Sequence, residues 1–125
     1  SEMCIRDRSA TLEDYAELID DLQSGGAPAR PTDIARRLGI SHASVIKTIG
    51  RLKREGLATS LPYRGVLLTP EGRRLAARSR ERHQLVVALL LALGVPREAA
   101  EEDAEGIEHH ISPATLAAFR RFLSK

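Results

Sequence analysis

From Ala10 to Gln23 the apolar positions Leu12, Tyr15, Ile19 and Leu22 recur every three or four residues, and "SGGAP" follows. That period predicts a helix over residues 10–23 buried along one stripe. "PTDIARRLG" predicts a short helix with Thr32 as N-cap and Gly39 as its stop. After a "GIS" turn, "SHASVIKTIGRLKREG" predicts a longer helix, capped by Ser41, ended by Gly56, and burying Val45, Ile46, Ile49 and Leu52. Two helices joined so tightly, the second rich in Lys and Arg, form a helix-turn-helix pattern. "LATSLPYRGVLLT" places β-branched and apolar residues around a Pro-Tyr-Arg-Gly turn. It predicts a short hairpin, the wing of a winged helix.

The longest helix is expected in "TPEGRRLAARSRERHQLVVALLLALG", with Thr69 capping, Pro70 at its first position and Gly94 ending it. Its first half is basic and its second half almost wholly apolar, an end suited to burial against a partner chain. "VPREAAEEDAEGIEHHI" predicts a further helix and "SPATLAAFRRFL" a last one, with the break at Ser112 and Pro113. "SEMCIRDR" matches no motif or period that follows it. Residues 1–8 are therefore set aside as a leader that need not be native, and Cys4 receives no role. The expected fold is mainly α with a small β-hairpin wing. It comprises an N-terminal winged helix-turn-helix over 9–70 and a C-terminal helical lobe over 71–125.

Composition narrows the class. A chain of 125 residues makes one compact unit or two small lobes. With 42% hydrophobic and 29% charged residues it is globular, and 3% aromatics leave a core of Leu, Ile, Val and Ala. So few aromatics also argue against an apolar pocket for an organic effector. The longest apolar run, Leu85 to Leu93, is too short to cross a bilayer, and no secretory pattern opens the chain. A single cysteine excludes a disulfide framework and suits a cytoplasmic location.

The net charge of +2 conceals a division. Residues 30–82 carry thirteen Lys/Arg against four Asp/Glu, a net of +9, and the remainder carries six against thirteen, a net of −7. A basic block suits a phosphate backbone, whereas clustered carboxylates need a cation or open water.

At about 100° per residue, Glu105, Glu108 and His109 share one helix face, with Glu98, Glu101 and Glu102 on roughly the same side. Ala100, Ala104, Ile107 and Ile111 define the opposite, apolar face. The face is either a solvated acidic stripe or a cation site. Carboxylates three residues apart repel with no Lys or Arg between them, and a divalent cation would convert that repulsion into binding. Oxygen donors with one imidazole favour Mn, Fe or Zn. One helix rarely fills a coordination sphere. Asp14 and Glu17 lie three apart on the first helix, opposite its apolar stripe, although Asp14 also fits a capping box after Thr11. His83 lies in line with Ala76, Val86, Val87 and Leu90, either as a packed histidine or as a ligand. Together, Asp14, Glu17, His83, Glu105, Glu108 and His109 suffice for one or two octahedral ions. His110 points away and has a supporting or structural role.

The basic helix carries different chemistry. His42, Ala43 and Ser44 sit at its N-terminal end, where a recognition helix meets base edges. Lys47, Arg51 and Arg54 can reach phosphates, and Arg64 in the wing can reach the backbone or minor groove. An enzyme is not expected. Di-iron carboxylate sites use Glu-x-x-His twice, while here position 108 is Glu and the motif occurs once. No Ser/His/Asp set, Gly-rich phosphate loop or HExxH occurs either.

At this point the chain resembles a known family. "EDYAELI", "ERHQLVVALLLALGV" and above all "DAEGIEHHIS" look like the manganese transport regulators of the diphtheria toxin repressor (DtxR) family. "TDIARRLGISHASVIKTIGRLKREGL" and "YRGVLLTPEGRRLA" are similar to its winged helix and wing. The resemblance covers residues 10–124 and implies a cytoplasmic homodimer that binds Mn(II) and represses manganese uptake genes at a palindromic operator. It implies metal binding by Asp14, Glu17, His83, Glu105, Glu108 and His109, with residues 71–125 as the metal-binding and dimerisation domain. One or two Mn(II) per subunit are expected, with no membrane partner and no small organic ligand. The iron-sensing branch has Met where Asp14 stands and Cys where Glu105 stands, so the hard oxygens here point to Mn(II). The alternatives are an iron- or zinc-responsive repressor of the same type and, further off, a small-molecule-responsive winged-helix regulator.

Overall fold

The computed structural model describes the backbone of residues 2–125 and the side chains of residues 12–125. The elements run α1 (Glu2–Gln23), α2 (Pro31–Leu38), α3 (His42–Arg54), β1 (Ala58–Leu61), β2 (Gly65–Leu68), α4 (Pro70–Ala92), α5 (Arg97–Ile107) and α6 (Pro113–Leu123), with a 3₁₀ turn at Glu108–His110. The chain divides into two compact units, Arg8–Ala77 and Arg78–Lys125 with the start of α1, so α4 runs through both. None of the helices, among the described residues, is long and apolar enough to cross a membrane.

α1 begins well upstream of the predicted residue 10. Its sequence contains neither Gly nor Pro, so nothing stops the helix from propagating through the segment set aside as a leader. Thr11 consequently lies inside the helix rather than at its start. In the first unit Leu12, Tyr15 and Ile19 of α1 are buried with Ile34, Val45, Ile49, Leu52, Val66 and Leu68. Gln23 at the end of α1 accepts a hydrogen bond through Oε1 from the Leu68 backbone N–H at 3.0 Å.

α2 starts two residues earlier than Thr32 suggested. Arg30 is its N-cap, without a side-chain hydrogen bond, and Pro31 opens the helix. Proline's fixed φ is already helical and its missing N–H is no loss in the first turn. Gly39 ends α2 in the left-handed region at φ 67°. Ser41 caps α3 as predicted, its hydroxyl accepting from the Ser44 N–H at 3.2 Å. Val45, Ile49 and Leu52 form the buried stripe of α3, whereas Ile46 is 48% exposed. Ile46 lies about 100° around the helix from Val45, which carries it off the stripe and onto the flank beside the hairpin.

β1 and β2 pair antiparallel, Ala58 opposite Leu68 and Leu61 opposite Gly65. Val66 exchanges both backbone hydrogen bonds with Ala29, at 2.7 and 3.0 Å, which adds the α1–α2 connection to the hairpin. Thr69 then joins the elements. Its hydroxyl donates to Gly56 O at 2.6 Å and accepts from the Gly72 N–H at 3.1 Å, which caps α4.

In the second unit Val86 and Val87 of α4 are buried with Ala100 and Ala104 of α5, and Leu90, Leu91, Ile111, Leu116 and Phe119 pack around them. Part of the apolar end of α4 is therefore covered by α5 and α6 of the same chain, while Leu93 stays 64% exposed. The single helix expected through Ile111 instead ends at Ile107 and tightens into the 3₁₀ turn.

Candidate metal centre and nucleic-acid interface

The tightening at Glu108 decides the geometry of the acidic cluster. Helical phase left the face of Glu108 open between a solvated stripe and a cation site, and the residue is 1% exposed. A buried carboxylate needs partners of opposite charge or donors. His83, reaching from α4, supplies one: its Nδ1 lies 2.6 Å from Glu108 Oε2. Glu105 Oε1 is 3.7 Å from the same nitrogen. The other ring nitrogen, Nε2, lies 2.9 Å from Glu101 Oε2, and Glu101 in turn faces Arg97 at 3.6 Å. Glu101 was legible only as one member of an acidic face. Its part in holding the outer side of the His83 ring depends on where α4 passes, which no single-helix period reports.

His83, Glu105 and Glu108 can each point one ligand atom to within 4.8 Å of the others. The donors are one imidazole nitrogen and carboxylate oxygens, without thiolate, which fits a divalent ion of the Mn, Fe or Zn type. His109 is half-buried beside them, Nε2 3.5 Å from Glu108 Oε1. His110 is exposed and joins none of these contacts, lying beside Asp103, Gly106, Ile107 and Ile111. Asp14 and Glu17 stand on α1 in the other unit, where Asp14 borders a depression with Tyr15, Leu38, Ile40 and Ser44.

Charge tunes the two histidines in opposite directions. Burial alone would lower the His83 imidazole, but hydrogen bonds to Glu101 and Glu108 and the charges of Glu108 and Glu105 outweigh it, holding its pKa above the ordinary 6.5. Burial and the Arg82 guanidinium push His109 below 6.5, against the pull of Glu105. For the metal-free protein, the raised pKa means that protonated His83 stabilises the fold fully below pH 6.5. That contribution is lost as pH rises through the folded value. Metal binding runs the other way, because a ligand nitrogen must give up its proton. Affinity for a divalent ion held through His83 is expected to fall by up to about tenfold per pH unit below the raised His83 pKa. Calorimetric titrations between about pH 8 and pH 6 check this, and an affinity flat across that range would contradict it.

In the first unit the candidate DNA-contacting residues sort by exposure. His42, Ala43, Ser44, Lys47, Arg54 and Arg64 are exposed, while Arg51 is half-buried and lies 3.9 Å from Glu55. The Ser41 hydroxyl also donates to Ser44 Oγ at 2.9 Å, so Ser44 is engaged within the cap. The fold adds a groove of ≈ 530 Å³ between α3, the start of α2 and the hairpin, bordered by Arg30, Ile46, Lys53 and Tyr63. The sequence singled out none of these four as a nucleic-acid contact. Ile46 was assigned to the core, and Tyr63 counted only as part of a turn.

Residues 7–66 match the iron-dependent repressor N-terminal DNA-binding domain, and residues 69–125 match the iron-dependent repressor metal-binding and dimerisation domain. The transcriptional regulator MntR of Escherichia coli O6:H1 is 52% identical over 118 residues, which is 94% of this chain and 76% of that protein. The MntR regulator of Lysinibacillus sphaericus is 39% identical over 102 residues, 82% of this chain and 73% of that one. Among solved structures, the manganese regulator SloR superposes with a TM-score of 0.77 at 28% identity, covering 90% of this chain and 53% of SloR. With DNA-binding and metal-binding domains matched in order and half the residues shared with an MntR regulator, this chain belongs to the iron-dependent, DtxR-type family of metal-dependent transcriptional repressors, in its MntR branch, and is not an enzyme.

Proposed function

We propose that the metal read by this repressor is Mn(II), and that the chain acts in the cytoplasm as a homodimer on a palindromic operator of manganese uptake genes. The observation that carries the reading is the convergence of His83, Glu105 and Glu108 without a sulfur donor. Mn(II) binds weakly in the divalent series and gains most from hard oxygen ligands. The names of the MntR relatives and of SloR support the same metal. Asp14, Glu17, His83, Glu105, Glu108 and His109 are the proposed ligands. When bound, Mn(II) would supply the positive charge that lets these carboxylates share one place.

The chain's own residues do the rest. Asp14 and Glu17 belong to the unit that carries α3, whereas His83, Glu105, Glu108 and His109 belong to the other. A ligand set drawn from both units couples metal occupancy to the placement of the recognition helix. His42 and Ala43 then meet base edges, and Lys47 and Arg54 neutralise phosphates. Coupling of this kind extends only as far as the ion binds the DNA-competent shape better than the alternatives.

The test is to select duplexes from a random pool with the Mn(II)-loaded protein. Inverted repeats should emerge, with half-sites about one helical turn or a multiple of it apart. Enrichment of single, unpaired sites would contradict the homodimer. Selection that proceeds equally in a chelator would contradict the metal requirement.

A further inference from the structure

The turn at the tip of the hairpin holds an aromatic residue where backbone chemistry disfavours one. The Arg64 N–H donates to Leu61 O at 3.1 Å, which makes Pro62 and Tyr63 the central residues of a tight turn. Tyr63 takes φ 62°, and it is the one non-glycine residue at positive φ among those described. Glycine or asparagine serves that position without the clash a larger side chain brings. The Tyr63 side chain gains no burial in return, being fully exposed at 105%. Strain kept at a residue that packs against nothing points to work outside the fold.

Its surroundings say what that work is. Tyr63 borders the ≈ 530 Å³ groove between the hairpin and α3, and every charged side chain lining that groove is cationic: Arg30, Lys53 and Arg64. On the α3 wall Ile46 is exposed, on the flank next to His42, Ala43 and Lys47 of the recognition surface. A groove with three cations and no carboxylate, continuous with the base-reading end of α3, complements one strand of a duplex.

We propose that this groove seats the sugar–phosphate backbone of one operator strand and that Tyr63 is a DNA contact. Its hydroxyl donates to a phosphate oxygen, its ring lies against deoxyribose, and Arg30 and Lys53 neutralise the flanking phosphates. The proposal rests on the reading of the chain as an operator-binding repressor. It adds four contacts, at Arg30, Ile46, Lys53 and Tyr63, to those of the recognition helix and Arg64.

The experiment uses a duplex selected from a random pool by the Mn(II)-loaded wild-type chain. Affinity for that duplex and the melting temperature are measured for wild type, Tyr63→Asn, Tyr63→Phe and Lys53→Ala. Tyr63→Asn should melt at the same temperature or higher, because strain is relieved, yet bind about tenfold more weakly, the worth of a hydrogen bond to a charged group. Tyr63→Phe, which loses only the hydroxyl, should show most of that loss. Lys53→Ala should reduce the slope of log affinity against log salt by about one. Binding by Tyr63→Asn within about twofold of wild type would overturn the proposal. So would a fall in melting temperature that tracks the lost affinity, since the residue would then be structural. If the wild-type chain selects no duplex at all, the repressor reading itself fails, and the proposal with it.

Discussion

Replacing Glu108 by Gln is expected to remove most of the effect of manganese on operator affinity while the chain stays folded. Glu108 is the most buried of the proposed ligands, at 1% exposure, and lies 2.6 Å from His83 Nδ1. Glutamine keeps the shape and can still accept a hydrogen bond from His83, so packing around the 3₁₀ turn persists. It cannot supply the negative charge a divalent ion requires in a partly buried site. Couplings between two ligands are typically 5- to 150-fold, roughly 1–3 kcal/mol, and the variant should lose nearly all of it. Operator dissociation constants measured with Mn(II) and with chelator check this. A variant that kept the wild-type ratio would remove Glu108 from the ligand set. Alanine is the poorer probe here, because it would open a cavity and strip His83 of its closest carboxylate.

A second large effect is expected in the hairpin. Gly65→Ala should destabilise the first unit by about 3 kcal/mol, the sum of two independent penalties. Gly65 sits at φ 121°, a conformation open to glycine alone, and a Cβ built there would collide with the Ala29 carbonyl oxygen. That carbonyl accepts the Val66 N–H at 2.7 Å, so the backbone cannot step aside without breaking the pair that ties the hairpin to the α1–α2 connection. Denaturant unfolding of the variant measures the loss. A change below about 1 kcal/mol would mean the hairpin is more adaptable than its geometry indicates. Loss of operator binding should accompany the unfolding, since Tyr63 and Arg64 ride on the same turn.

Much of this was legible in the chain itself. The caps at Ser41 and Thr69, the stop at Gly39 and the hairpin all follow from local chemistry, because each depends on residues within a few positions. The predictions that failed depend on distant ones. Ile46 has the right character for a core, and only the placement of the hairpin makes it a groove wall. Glu108 was left open between a solvated stripe and a cation site, and it is the passage of α4 beside the 3₁₀ turn that buries it and pairs it with His83. Glu101 stayed hidden for the same reason. The helix was expected to begin at residue 10 because the periodic stripe begins there, whereas backbone propensity, indifferent to the stripe, carries α1 back to Glu2.

The coupling of manganese to operator binding is tested most directly by titrating Mn(II) into the protein twice, alone and saturated with its selected duplex. If the ion and the duplex favour the same arrangement of the chain, the duplex should tighten Mn(II) binding by the same factor by which Mn(II) tightens duplex binding, in the range of about 5- to 150-fold. Identical Mn(II) affinities in the two titrations would contradict it.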